Sequence, residues 1–282
     1  MTSTTRRPAA HRPARPARQA SLGRLIRVEL RKLSSIRLSY GLLAASVGLT
    51  ALWTALEASR AGTSNGPAQL NTYAGLQSIV TGGVWGLILA AVLGVIIASG
   101  EFRHQTATLT YLAEPSRGRV LAAKMAAGAV GGAVFGLAGY TVASAVGLSF
   151  TAGHGYSVSI GAATFADWGA GHLVGGALLA VLGVVAGSLV RSQLASVIGV
   201  FVWSIIIESL VGGLLPAIRP YLPYTAATTL AGTPLGSASF GPSRDAASGA
   251  PLPFAAATAL LAAIAVGGAL LAARTTLRRD IT

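Results

Sequence analysis

Apolar residues in this chain come in long unbroken runs, with no alternation of period two. Six runs stand out: Leu38–Leu56, Ile79–Ser99, Met125–Phe150, Leu173–Val190, Leu194–Leu215 and Pro253–Ala273. Each is near the length of about 20 residues that a helix needs to cross about 30 Å of hydrocarbon. An open strand would leave backbone N–H and C=O groups unsatisfied in lipid, so helix is the conformation expected. Pro251 and Pro253 blur the start of the last run. The pattern predicts an all-α integral membrane protein of six transmembrane helices.

The residues before the first run follow a different pattern. In Leu22–Leu33, LGRLIRVELRKL, the residues Leu22, Leu25, Ile26 and Leu33 recur at helical spacing, and Glu29 interrupts the stripe. Arg24, Arg27, Arg31 and Lys32 fall mostly on the other side. This predicts a basic amphipathic helix of about three turns, lying flat in the membrane interface. Glu29 stands three residues before Lys32, so a local ion pair worth a few tenths of a kcal/mol is one reading. The other is that Glu29 faces a partner protein. Residues 1–20, rich in Arg, Pro and Ala, read as a disordered basic tail able to hover over anionic lipid. The first run starts too late and is too long for a cleaved signal peptide.

Composition fits this picture. Apolar residues make up 52% of the chain and charged residues 10%, whereas a soluble domain carries about a quarter charged. The net charge of +13 would point to nucleic acid in a soluble protein. Here it reads as topology, because basic residues collect on the cytoplasmic side of membrane proteins. Of the 21 Lys and Arg residues, ten lie in the first 37 positions. Arg103, Arg117, Arg119 and Lys124 follow the second run, Arg191 joins the fourth to the fifth, and Arg274, Arg278 and Arg279 end the chain. The alternate connections hold Arg60, Arg219 and Arg244 alone. Both termini are therefore expected in the cytoplasm, in agreement with an even number of spans. No nucleic-acid partner is expected. The chain has no cysteine, so disulfide and thiolate chemistry are excluded.

Within the runs, small residues repeat every four positions: Gly82, Gly86, Ala90, Gly94 and Ala98 in the second, Gly128, Gly132 and Gly136 in the third, Gly183 and Gly187 in the fourth. Such stripes let helices pack closely in lipid. Glu208 is the one acidic residue deep in a run, and placing it there costs on the order of 3 kcal/mol. Ser204 lies one turn back and could bond to it. The pair is a candidate translocation or interface site. His154 and His172 fall at or near the loop before the fourth run, without a second ligand at metal spacing. No Ser, His, Asp constellation argues for a hydrolase, and no G-x-x-x-x-G-K-[ST] phosphate loop is present. The chain reads as a non-enzyme that needs no cofactor, with any ATP hydrolysis left to another chain.

The connection Gly100–Lys124, GEFRHQTATLTYLAEPSRGRVLAAK, is densely charged, whereas the residues from Ala61 to Gly100 carry no charge at all. Its order of Glu101, Phe102, Arg103, His104, Gln105, Thr106, then Leu112, Pro115, Arg117 and Lys124 resembles the motif of ABC-2-type transporter permeases. Gln105 stands where that family often has glycine. Arg27-Val-Glu29-Leu-Arg31-Lys32-Leu followed by Arg37 is similar to the family's connecting helix, and Pro220–Leu230 to its re-entrant outer segment. The resemblance implies a six-span permease domain over residues 21–282 that pairs with a second permease copy and with separate ATPase subunits. It implies that a short coupling helix around His104–Leu112 sits on the ATPase, with Glu101, Arg103, His104, Thr106, Pro115, Arg117 and Lys124 as coupling residues. Pro115 would stop that helix and Ser116 could cap the next. Family analogy and apolar walls favour a lipophilic or amphipathic small molecule, exported across a bacterial plasma membrane, with membrane lipids as further partners. The alternatives are an ATP-independent channel or carrier, and a non-transporting scaffold or immunity protein.

Overall fold

The computed structural model describes residues 21–64, 66–103, 116–158, 160–190, 192–235 and 250–275, with 101–103 placed by backbone alone. The basic tail 1–20 and the expected coupling residues His104, Thr106 and Pro115 lie outside these. Every regular element among the described residues is helical. Six helices are long and apolar enough to cross a membrane: a first span Arg37–Ser59, a second Tyr73–Gly100, a third Arg117–Gly153, a fourth Ala162–Val190, a fifth Gln193–Leu214 and a sixth Phe254–Arg274. A separate N-terminal helix, Leu22–Ser35, precedes them. The spans run up and down between a basic end, where the N-terminal helix lies, and a far end.

The third and fourth spans start earlier than their apolar runs, by about two and three turns. The third has 37 residues, about 55 Å of helix against about 30 Å of hydrocarbon. Hydropathy marks only the part that lipid must solvate. The flanking Arg117–Lys124 and Ala162–His172 remain helical beyond it. His172 is consequently not a loop residue. It sits inside the fourth span, fully buried, with Nδ1 donating to the Trp168 carbonyl at 2.9 Å and its ring 5.0 Å from that of Tyr140.

The second span is the hub, almost wholly enclosed, whereas the fifth and sixth are mostly exposed. The small-residue stripes explain why the central helices come so close. Gly132 of the third span and Gly176 of the fourth meet backbone to backbone, and Gly136 lies on the His172 carbonyl. Gly94 faces the Ala180 carbonyl, Gly183 faces that of Ala91, and Gly187 touches Ala98. A Cβ at most of these positions would collide with backbone. The pairings step in opposite directions between the third and fourth spans and in the same overall direction between the second and fourth, as their order in the chain requires. The first span turns Ser46, Thr50 and Thr54 inward and leaves Leu49, Leu52 and Leu56 exposed, the arrangement that lipid favours.

Two spans depart from regular α-helix. The second breaks at Thr81–Gly83, between Tyr73–Val80 and Val84–Arg103. The fifth passes through a π-helical turn, Val202–Ile207, just before Glu208. Beyond the fifth, the chain forms a 3-10 turn, Pro216–Tyr221, and a short helix, Pro223–Leu230. That helix folds back onto the bundle. Its Tyr224, Ala226 and Ala227 pack with Leu87, Leu179 and Leu261 of the second, fourth and sixth spans.

Candidate functional site

The expected site residues fall at opposite ends of the bundle. At the basic end, Lys124 sits two turns into the third span, 5% exposed. Its Nζ donates to Glu29 Oε2 at 3.2 Å and to the Ile97 carbonyl at 3.2 Å. Glu29, 6% exposed, takes Lys32 Nζ on its other oxygen at 2.7 Å. One ammonium thus joins the N-terminal helix, the second span and the third span, about two turns inside Arg103 and Arg117. The i,i+3 pair of Glu29 and Lys32 read from the sequence is present. Glu29 itself points into the protein, because the apolar stripe it interrupts is the side that packs on the third span, where Leu33 lies over Gly131. Part of the apolar side of this helix thus meets the third span, with Leu25, Ile26 and Leu33 half-buried and Leu22 exposed.

The other expected residues of this end are only partly brought in. Arg117 and Arg119 lie half-buried on the first turn of the third span. The Ser116 hydroxyl makes no cap bond; its carbonyl accepts from the Arg119 and Val120 N–H groups instead. Glu101 and Arg103 lie on the last turn of the helix Val84–Arg103, just past the end of the second span. Arg27 and Arg31 point away from the bundle and are exposed.

At the far end, Glu208 is 3% exposed and holds four donors. Oε1 accepts from Trp203 Nε1 at 2.9 Å and from the Tyr224 N–H at 2.8 Å. Oε2 accepts from the Thr225 N–H at 2.8 Å and its hydroxyl at 3.0 Å. Ser204 is not among them. The π-helical turn accounts for the difference: widening the helix brings residues five apart onto one face, so Trp203 replaces Ser204 as the neighbour. The first N–H groups of a helix have no partner within it. Leu222, at the cap position of Pro223–Leu230, has no side chain able to serve, and Pro223 has no N–H to satisfy. Glu208 supplies the missing cap from another helix, with charge-assisted bonds.

The far side of the folded-back segment is held too. Gln77 Nε2 donates to the Gly232 carbonyl at 2.9 Å, and Thr233 Oγ1 to the Thr81 carbonyl at 3.0 Å. Gly232 has a φ of 84° and packs its backbone on the Trp168 ring, a place that only glycine fills without strain. Arg219, counted as a loop charge from the sequence, is buried with its stem over Gly212.

Sequence reasoning missed both long-range partnerships. A lone Glu in an apolar stripe and a lone Lys inside a span entrance were their faint signal at one end. A Pro-Tyr-Thr helix start without a capping residue was the signal at the other. No protein-family model matches this chain, and no curated protein matches it.

Proposed function

We propose that the chain is the membrane-spanning permease subunit of an ATP-driven exporter of the ABC-2 type. It works with a separate ATPase chain and a second permease copy to move a lipophilic or amphipathic small molecule. The reading takes the basic end, with both termini, as cytoplasmic and the far end as outer, in a bacterial plasma membrane. The observation that carries it is the Lys124 junction. A connection that receives force from a partner must be anchored to the helices that move, and Lys124 ties the root of the 104–115 connection to the N-terminal helix and the second span. Close glycine contacts along the second, third and fourth spans make these helices a stiff unit able to pass such a movement on.

Glu208 bears on the alternative. A proton- or ion-coupled carrier uses intramembrane charge that can exchange partners. Glu208 is instead occupied by four donors as a helix cap, which favours an external energy source over a carrier. Purification in mild detergent, with mass identification of co-eluting chains, tests the proposal. A P-loop ATPase in near-equal amount is expected, and its loss on charge reversal at Glu101 and Arg117. A chain that elutes alone from its native membrane would overturn it.

A further inference from the structure

The N-terminal helix has a second face that the proposed function does not use. Its other side meets the third span, through Leu33 over Gly131 and Glu29 on Lys124. On the opposite side Arg24, Arg27 and Arg31 are exposed, at spacings of three and four residues that align them along one stripe. The stripe is about 10 Å long. The one carboxylate of this helix, Glu29, is turned away and held by Lys32 and Lys124. Among the described residues no acidic group pairs with the three guanidinium groups. They border a recess of about 510 Å³ that is also lined by Ser21, Gly23 and Val28. Val28 is 43% exposed there, an apolar surface inside a cationic rim.

The position of the recess identifies its occupant. The helix passes into the first span through the single residue Ile36, and Tyr40 Oη, one turn into that span, donates back to the Ser34 carbonyl at 2.9 Å. Tyrosines of this kind mark the headgroup level of a membrane. Guanidinium groups bind phosphate through paired N–H bonds, and Val28 offers contact to the apolar part of the same molecule. We infer that the Arg24, Arg27 and Arg31 face binds the phosphate headgroup of an anionic phospholipid. The site would fix the N-terminal helix to the leaflet on one side while Lys124 fixes it to the bundle on the other. This inference rests on the membrane reading and not on the ATPase.

The test uses the full chain in detergent, mixed with equal phosphatidylglycerol and phosphatidylcholine and weighed intact by native mass spectrometry. The wild type should retain phosphatidylglycerol preferentially. R24Q/R27Q/R31Q should lose at least about tenfold of that preference, while its unfolding midpoint in phosphatidylcholine alone stays close to wild type. The three-lysine variant R24K/R27K/R31K should keep part of it, since charge remains without the paired geometry. If the glutamine variant does not fold, R27Q alone and the lysine variant supply the comparison. An unchanged preference in the glutamine variant would overturn the assignment. So would displacement of the lipid by excess inorganic phosphate, which would mark a free-anion site. Loss of a co-purifying acidic protein with lipid preference intact would also overturn it, because the face would then belong to a protein partner.

Discussion

Glu29 and Lys124 are buried together, joined at 3.2 Å. A buried ion pair contributes little net stability, but removing one partner strands the other at a cost of about 3 kcal/mol or more. The geometry makes that cost unequal. E29Q takes the shared carboxylate from both Lys124 and Lys32, whereas K124M leaves Glu29 still bonded to Lys32. E29Q should therefore be the more destabilising in detergent unfolding, and the double variant should lose less than the two singles combined. Equal and additive losses would mean the pair is not coupled. Glu208 is a different case, because its four donors include two backbone N–H groups. E208Q keeps the shape but gives up charge-assisted bonds worth roughly 1.5–3 kcal/mol each. Amide exchange over 223–230 should rise at least about tenfold, with the spans themselves unchanged. Exchange that stays at the wild-type level would show that the carboxylate is not the cap. Neither partnership was legible as a pair, because 95 residues separate Glu29 from Lys124 and a local π-helical turn re-aims Glu208 from Ser204 to Trp203. Periodicity reports which face a residue occupies, and it is silent about which distant element meets that face.

At the level of elements, each run of apolar residues falls on one of the six helices long and apolar enough to cross a membrane, because lipid solvation is a per-residue cost that the sequence displays directly. The early starts of the third and fourth spans, the break at Thr81–Gly83 and the fold-back of Pro223–Leu230 were not displayed. They depend on partners rather than on lipid. The stripes of small residues were legible as contact faces, and the structure pairs them. Gly132 meets the Gly176 backbone, so G132L should separate the third span from the fourth and abolish a monodisperse gel-filtration peak. Gly267 has nothing within 4 Å of a Cβ, so G267A should be neutral or gain up to about 1 kcal/mol from helix propensity. If both variants behave alike, close glycine packing is not what sets the distance between the central helices.

Across the whole molecule, the two polar centres sit at opposite ends of one stiff group of helices. Lys124 gathers three elements at the basic end, and Glu208, Gln77 and Thr81 hold the folded-back segment at the far end. The second, third and fourth spans connect them. In the proposed account, a partner that moves the connection after the second span would move these helices together and load the far-end segment. The proposed function requires an ATPase to dock on this connection. A photo-crosslinking residue placed at Thr106 in cells, with Thr63 at the other end as control, tests it most directly. An adduct containing a P-loop ATPase chain is expected at Thr106 and none at Thr63. The same ATPase captured from Thr63, or none captured from Thr106 while the protein is inserted and intact, would contradict it.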